Sequence, residues 1–291
     1  MTLPATGTIV TYPGGMTTAE ARVVHVEALD DGRSAVLLDR TSCHPVDSAW
    51  PDQGPDRAVL DAGDIAVELL DCVVGATDGT ELFLGSDIPV RKGTEGWAFV
   101  VAHIVDADAS LAEGDTVTVE VDSGYRAALS AGHSACHLAS LALNMALAGA
   151  WSKEATLDGL GSPDFDGTAI ETSTILENGS RDVYRVGKSA RKKGFDPSAL
   201  DDPAALAATV NATLASWITT GGGMRIERDG DLLTDRRYWV AELPGAPEGG
   251  ARQACGGTHV TSLADLGPVT VTLTTEQLEG AVGMTMETSA G

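Results

Sequence analysis

Two short motifs, separated by more than a hundred residues, place the tightest constraint on how this chain can fold. They are His133-Ser-Ala-Cys-His137 and Cys255-Gly-Gly-Thr-His259. Each carries two metal-binding side chains four positions apart, the interval at which side chains on one helical turn or across a tight turn point the same way. Together they offer three imidazoles and one thiolate, a donor set that suits Zn²⁺. The sequence therefore predicts a fold that brings both motifs to one metal ion.

The joint occurrence of the motifs matters, because histidines four positions apart also occur as hydrogen-bonded core residues. We predict that His133, His137, Cys255 and His259 bind one Zn²⁺ per chain, and that Cys136 is a small buried helix residue. Four ligands would close the tetrahedron, as in structural sites. Two versions therefore stay open. Either Cys255 or His259 binds weakly and leaves a position for water, or the ion only shapes a pocket.

The pattern of the chain changes near residue 121. Before it, short apolar and β-branched segments recur about every ten residues between Gly and Asp turn signals, which is typical of a small barrel or sandwich. After it, helical segments mix with strands that follow turn signals. We predict an α+β chain with a small β-barrel domain at residues 1–121 and a zinc-binding α+β domain, with an antiparallel sheet and helices, at residues 122–291.

Hydrophobic periodicity and turn signals predict the individual elements. The predicted strands lie at residues 9–12, 21–26, 34–38, 65–74, 81–84, 97–105, 116–121, 238–243 and 269–273. One helix is predicted at residues 127–150. A second begins after Asp202, which can cap it, with Pro203 in its first turn. Its apolar stripe consists of Leu206, Val210, Leu214, Trp217 and Ile218.

Composition limits the classes of function. The chain has 43% apolar residues and a net charge of −23, and its four cysteines show no close pairing. No run of 18 apolar residues and no signal segment is found, so we expect a cytoplasmic protein without membrane contact and without disulfides. No obligate protein partner is inferred. The negative charge argues against nonspecific binding to a polyanion.

One segment departs from this acidic character. Six of the 19 basic residues fall within positions 181–193, and we refer to them as the basic segment: Arg181, Arg185, Lys188, Arg191, Lys192 and Lys193. Such a run is usually a solvated face. In so acidic a chain it is also a candidate nucleic-acid-binding surface.

Three stretches carry a family resemblance. Asp122-x-x-x-Arg126 followed by His-Ser-Ala-Cys-His-Leu138 resembles the D-x-x-x-R…H-T-A-x-H-L element of the alanyl-tRNA editing proteins. Cys255-Gly-Gly-Thr-His-Val260 resembles their C-G-G-T-H-V element, and Leu38-Asp-Arg-Thr…His44-Pro45 is similar to a loop of their N-terminal barrel. Those free-standing proteins are similar to the editing domain of alanyl-tRNA synthetase.

The resemblance implies a zinc-dependent hydrolase of aminoacylated tRNA that acts in translation fidelity. It would act in trans and remove a wrong amino acid, expected to be serine, from tRNA for alanine. Ser134 and Thr258 are then candidate catalytic residues that hydrogen-bond the substrate, although Ser134 can equally bond to its own helix and Thr258 can fill the turn. Arg126 can contact a tRNA phosphate or support the start of the helix.

Two departures from the family pattern affect these expectations. Ser134 stands where the family usually has threonine, and Ser48-Ala-Trp50-Pro51 replaces a Gly-Gly-Gln-Pro loop. We expect Trp50 to be packed, with stacking on a base as the alternative. Two other functions remain open, a zinc-dependent esterase or amidase for a small molecule and a noncatalytic, zinc-stabilised binding module.

Overall fold

The structure is a computed structural model that describes residues 3–291. Mostly antiparallel sheets and a few helices make up these residues, so the predicted α+β class is confirmed. Among the helices described, none has both the length and the apolar character needed to cross a membrane.

The chain divides into two compact units. The first contains the residues up to Arg126 together with Arg228–Arg237 and Gly256–Thr258. The second contains Ala127–Glu227, Tyr238–Cys255 and His259–Gly291. The domain boundary after residue 121 stays a prediction.

Strands build most of the first unit. In chain order they are β1 (Ile9–Val10), β2 (Thr18–Ala28), β3 (Arg33–Leu38), β4 (Arg40–Thr41), β5 (Ala58–Asp61), β6 (Ala66–Glu68), β7 (Asp71–Thr77), β8 (Leu82–Leu84), β9 (Ala98–Asp106) and β10 (Thr116–Val121). Eight of them form one sheet in the order β6-β5-β10-β2-β3-β9-β7-β8, and β1 pairs in parallel with β4. Among the described residues no pairing joins the edge strands β6 and β8, so closure into the predicted barrel stays a prediction.

The strand β9 lies in the interior of this sheet, between β3 and β7. Its residues 98–105 are all buried. Successive side chains point to opposite faces of a strand, and here both faces are covered. Phe99 and Val101 belong to one apolar cluster, whereas Val100 and Ala102 belong to another. The strand predicted at residues 97–105 is confirmed.

The single strand predicted at residues 65–74 is wrong. The segment contains β6 and β7, with Leu69 and Leu70 between them. The amide of Leu69 donates to the carbonyl of Ala58, and the next amide, of Leu70, donates to the carbonyl of Ile104. Two consecutive residues therefore bond to different neighbours. An apolar run shows that a segment is buried, but it does not show where the partner changes.

The rest of the chain contains the helices and two further sheets. In chain order its elements are α1 (Ser123–Ala146), α2 (Asp166–Ala169), β11 (Ile170–Leu176), β12 (Gly179–Val186), α3 (Lys188–Lys192), α4 (Pro203–Ile218), β13 (Met224–Arg228), β14 (Arg237–Ala241), β15 (Ala251–Ala254), β16 (Val269–Leu278) and β17 (Ala281–Ala290). One sheet has the order β11-β12-β17-β16, and the other has the order β13-β14-β15.

The helix α1 lies about one turn earlier than the span of 127–150 predicted for it. Asp122 explains the early start, because its Oδ1 accepts from the backbone N–H groups of Gly124 and Tyr125, both at 3.0 Å. These amides have no partner within the helix, so a carboxylate in front of them favours helix initiation. After Ala146 the chain continues into a short 3₁₀ turn at Ala148–Ala150.

The prediction for α4 is confirmed. The side chain of Asp202 accepts from the N–H of Ala205 at 2.9 Å, and Pro203 occupies the first turn. Of the predicted stripe, Leu206, Val210, Leu214 and Trp217 are buried, whereas Ile218 is half-buried. The helix packs on β16, where Asn211 exchanges two hydrogen bonds with the backbone of Val271.

The hairpin of β11 and β12 was not predicted. Its two-residue turn is Glu177-Asn178, and Asn178 has a positive φ of 56°. The strand β12 alternates exposed and buried residues, but two of its buried residues are the polar Ser180 and Asp182. Polar residues on the inner face remove the alternation that identifies a strand from sequence.

The helix α1 approaches this hairpin closely at Gly132. A Cβ atom on Gly132 would lie 2.2 Å from the carbonyl oxygen of Leu176 and 2.5 Å from that of Gly179. The amide of Asn178 also donates to the carbonyl of Ala128, one turn earlier in the helix. The helix α1 carries two of the candidate ligands, and its position therefore depends on the absence of a side chain at Gly132.

We predict that Gly132→Ala lowers the free energy of unfolding by about 3 kcal/mol, because backbone atoms cannot move aside as a side chain can. The matched control is Gly149→Ala, where a Cβ would meet nothing within 4 Å. Urea unfolding followed by circular dichroism measures both variants. Equal midpoints for the two variants would contradict the close packing.

Candidate metal centre

The four predicted ligands form one cluster in the second unit. His133, His137, Cys255 and His259 each offer a donor atom, and these atoms all lie within 4.8 Å of one another. Cys255 Sγ is 3.4 Å from His133 Nε2 and 3.2 Å from His259 Nε2. Zinc bond lengths of about 2.3 Å to sulfur and 2.0 Å to nitrogen place two tetrahedral donors about 3.5 Å apart. The residues therefore fit a zinc ion, and the group can hold a metal.

Regular secondary structure positions three of the ligands. His133 and His137 lie one turn apart on α1, with ring centroids separated by 4.9 Å. Cys255 follows directly after β15, whose last residue, Ala254, pairs with Tyr238 of β14. The buried Trp239 on β14 stacks on the ring of His137, with centroids 5.0 Å apart and an interplanar angle of 29°. These contacts leave the rings little freedom to turn.

The side chain of Ser134 contacts the fourth candidate ligand, His259. Its side chain is fully buried, and its Oγ lies 3.1 Å from His259 Nδ1. The same oxygen accepts the backbone N–H of Val260 at 3.2 Å. Because His259 Nε2 faces Cys255, a proton on Nδ1 directed at Ser134 leaves the lone pair of Nε2 for a metal. This arrangement is the usual partner geometry of a metal-binding histidine.

Thr258 has two hydrogen bonds to one residue of its own unit. Gln53 Nε2 donates to Thr258 Oγ1 at 2.9 Å, and the N–H of Thr258 donates to Gln53 Oε1 at 3.0 Å. Both residues are buried. Gln53 could not be selected from the sequence, because it lies in a proline-rich loop and is distant from Thr258 along the chain. It is the buried partner of Thr258, and it was not predicted.

The expectation for Trp50, in the same loop, is wrong. Its side chain is 68% exposed rather than packed, and its Nε1 donates to Asp52 Oδ2 at 2.9 Å. In this loop the side chain of Gln53 is therefore buried, whereas that of Trp50 is exposed. Stacking of Trp50 on a base stays a prediction.

Arg126 is buried in the first unit with an ionic partner. Its Nε donates to Asp56 Oδ1 at 2.7 Å, and its Nη2 donates to Asp56 Oδ2 and, at 2.8 Å, to the carbonyl of Ser42. Asp56 also accepts the N–H of His44 through Oδ2. This geometry favours the second of the two predicted roles, support for the start of α1, because the guanidinium donors are directed inward.

The prediction that Cys136 is a small buried helix residue is confirmed. The carboxylate of Asp182 lies beside it. Its Sγ lies 3.5 Å from Asp182 Oδ1, and Asp182 accepts hydrogen bonds from Ser173 and Ser180. Burial raises the pKa of the Cys136 thiol well above its ordinary value, and the charge of Asp182 raises it further. Cys136 is not one of the four residues whose donor atoms cluster.

All six side chains of the basic segment are exposed. Arg181 and Arg185 lie on β12, each with its Nε 3.9 Å from a glutamate oxygen, of Glu287 and Glu171 respectively. The remaining four cations lie on α3 and just after it. The segment is thus divided between a strand with acidic neighbours and a short helix.

Comparison with known proteins relates the chain to part of an alanine–tRNA ligase. The two sequences are 29% identical over 185 residues, which cover 61% of this chain and 19% of the ligase of Ruegeria pomeroyi. The chain therefore matches about a fifth of that ligase. No protein-family model matches the chain. The partial match agrees with the resemblance to alanyl-tRNA editing proteins.

We predict that Ser134→Ala lowers the affinity for Zn²⁺ by about 10- to 100-fold, because His259 loses the partner that fixes its tautomer. Ser134→Thr keeps the hydroxyl and should keep the affinity. Ser140→Ala is the matched control, since Ser140 is buried on the same helix but donates to a backbone carbonyl, that of His137. Zinc titration in competition with a chelator measures all three. Wild-type affinity in Ser134→Ala would contradict the assignment.

Proposed function

We propose that the protein is a zinc-dependent deacylase that hydrolyses the ester of mischarged tRNA for alanine, with serine as the expected amino acid. The observation that carries the proposal is the convergence of His133, His137, Cys255 and His259 within 4.8 Å. The similarity to part of an alanine–tRNA ligase supports the class of substrate. The three stretches that resemble alanyl-tRNA editing proteins support an action in trans.

The ligand group has an accessible side. His133 is buried, whereas His137, Cys255 and His259 are half-buried. Gly256, next to Cys255, is exposed, and a Cβ placed on it would meet nothing within 4 Å. The end of a tRNA could approach the thiolate side of the group closely. A purely structural zinc site has no need of such access, and this favours an enzyme over a noncatalytic module.

When bound, Zn²⁺ would supply a Lewis acid for the ester carbonyl and would lower the pKa of a water to about 7. The chain must then keep one coordination position available. Of the two candidate weak ligands, His259 is fixed by Ser134 and Val260. Cys255 lies between two exposed residues, Ala254 and Gly256. We therefore assign Cys255 as the ligand that can yield its position.

The hydroxyl groups of Ser134 and Thr258 are assigned supporting roles in this proposal. Ser134 Oγ is directed at His259, and Thr258 Oγ1 accepts from Gln53. Ser134 orients the ring of His259, and Gln53 holds Thr258. Direct hydrogen bonds from them to the substrate, as the sequence predicted, stay predictions.

The tRNA surface is assigned to the basic segment. Phosphate contacts need exposed Lys and Arg side chains, and six of them occur here in a chain of net charge −23. The net charge itself favours the second candidate function, an esterase or amidase for a small molecule, because it opposes polyanion binding. Hydrolysis of small amino-acid esters without hydrolysis of Ser-tRNA would support that second candidate.

We predict that metal-loaded wild-type protein releases serine from Ser-tRNA for alanine. His133→Ala should lose activity and the zinc ion of this ligand group, because its buried imidazole is a fixed ligand. Cys255→Ala should keep measurable zinc and part of the activity. Cys136→Ala, which removes a buried thiol outside the group, is the control and should match the wild type. Zinc content and deacylation rate are measured in parallel.

Two results would contradict these assignments. No release of serine by metal-loaded wild-type protein, in an assay where an authentic editing enzyme succeeds, would reject the deacylase. Full zinc content together with complete loss of activity in both Cys255→Ala and His259→Ala would reject the yielding ligand.

We predict that reversing the charges of Arg191, Lys192 and Lys193 to Glu weakens tRNA binding and reduces the magnitude of the negative slope of log K against log salt by about 2 to 3, since each lost phosphate contact removes about 0.7–0.9 from that magnitude. The control reverses Arg22, Arg40 and Arg91, three exposed residues of the first unit. It changes the net charge equally. Equal affinities and slopes for the two triple variants would remove the basic segment from the proposal.

A further inference from the structure

A second group of metal-binding side chains lies in the interior of the first unit. Cys43, Cys72 and His103 each offer a donor atom, and these atoms all lie within 4.8 Å of one another. All three residues have no solvent exposure. None of them belongs to the ligand group of the second unit, and neither motif nor family resemblance pointed to them. We refer to these three residues as the core triad.

The sheet of the first unit brings the triad together. Cys72 on β7 and His103 on β9 are directly opposite each other in the antiparallel pair. Cys43 precedes a segment that runs beside β7, where the amide of Val46 donates to the carbonyl of Cys72 and the amide of Val74 donates to the carbonyl of Val46. The two thiols therefore come from adjacent backbone segments, and neither one is on a mobile terminus or an exposed loop.

The hydrogen bonds of His103 define its tautomer. Nδ1 lies 3.1 Å from the carbonyl oxygen of Val36. A carbonyl can only accept, so Nδ1 carries the proton and Nε2 has a lone pair. Nε2 therefore accepts the hydroxyl of Thr41 at 2.8 Å, and the same oxygen accepts the N–H of Cys43. Rotation of that hydroxyl would release the lone pair of Nε2 for a metal, while the carbonyl of Val36 keeps the tautomer fixed.

All three side chains of the triad are enclosed in the interior, where a thiolate is costly unless another charge compensates it. A divalent cation with two thiolates and a neutral imidazole forms a neutral complex, so it removes that cost.

We propose that Cys43, Cys72 and His103 form a second, structural Zn²⁺ site inside the first unit, with the hydroxyl of Thr41 as the nearest oxygen donor. Soft thiolates and an imidazole are the donors that zinc prefers. Binding releases to solvent the protons that the two sulfurs hold in the free protein. Because the triad is enclosed, the ion enters as the chain folds, as in other structural zinc sites.

The test counts zinc after refolding in reducing buffer with excess Zn²⁺, followed by removal of loosely bound metal. We expect two zinc ions per chain in the wild type. The ligand group of the second unit is called the outer group here, and a variant without it, His133→Ala with Cys255→Ser, should keep one zinc ion. Cys43→Ala with Cys72→Ala should also keep one. Cys136→Ala is the control for removal of a buried thiol that belongs to neither group, and it should keep two.

A second measurement keeps the proposal testable if the double alanine variant does not fold. The variant without the outer group retains the native core, so Co²⁺ added during refolding should produce the absorption of thiolate-to-cobalt charge transfer. Zinc should also raise its midpoint of urea unfolding. A folded variant that binds no metal, or a Cys43–Cys72 disulfide in the zinc-refolded protein, would overturn the proposal. Neither result depends on deacylation, so the two proposals can fail separately.

Discussion

One buried hydroxyl, that of Ser134, connects the two motifs on which the candidate metal centre depends. It lies on α1 beside His133, yet its bonds go to the ring of His259 and to the amide of Val260. His133, His137 and Cys255 are placed by regular structure. His259 follows a glycine-containing loop, so it is the ligand most in need of a side-chain partner. The hydroxyl therefore determines whether four donors meet or only three.

Close packing of α1 against the hairpin of β11 and β12 also helps to place the candidate ligands that α1 carries. Gly132 lets the backbone of α1 come against the β11–β12 turn, and no larger residue would fit between the two carbonyls. Trp239 then covers His137 from the adjacent sheet. The position of α1 thus depends on the absence of a side chain at Gly132 and on the aromatic ring of Trp239 that packs on His137. The first contact acts on the residue next to His133, and the second acts directly on the ring of His137.

The sequence predicted the parts of the fold that have a local signature. The stripe and cap of α4, the interior strand β9 and the convergence of the four ligands follow from periodicity, capping chemistry and donor type. The hairpin of β11 and β12 was missed because Asp182 and Ser180 face inward. The change of hydrogen-bonding partner between Leu69 and Leu70 depends on tertiary structure, and no residue type predicts it.

Two contacts between residues that are distant in sequence could not be predicted for a similar reason. Gln53 bonds to Thr258 across 205 positions of sequence, and a lone glutamine in a proline-rich loop has many ordinary roles. The core triad was hidden as well, because Cys43, Cys72 and His103 have no motif spacing and come together only through strand pairing. The four candidate ligands of the outer group could be predicted because they form two pairs whose members are four positions apart. A candidate site can thus be predicted from sequence when its donors form such local pairs.

The acidity of the chain does not exclude the proposed tRNA substrate, because exposed charges act over short distances. At physiological ionic strength the screening length is about 8 Å, so a phosphate senses its nearest side chains more than the net charge of −23. Within the basic segment, Arg181 and Arg185 have glutamates 3.9 Å away. The stretch from Lys188 to Lys193 contains four cations and no acid. A phosphate backbone would therefore find its strongest attraction at α3, and the strand arginines would contribute less.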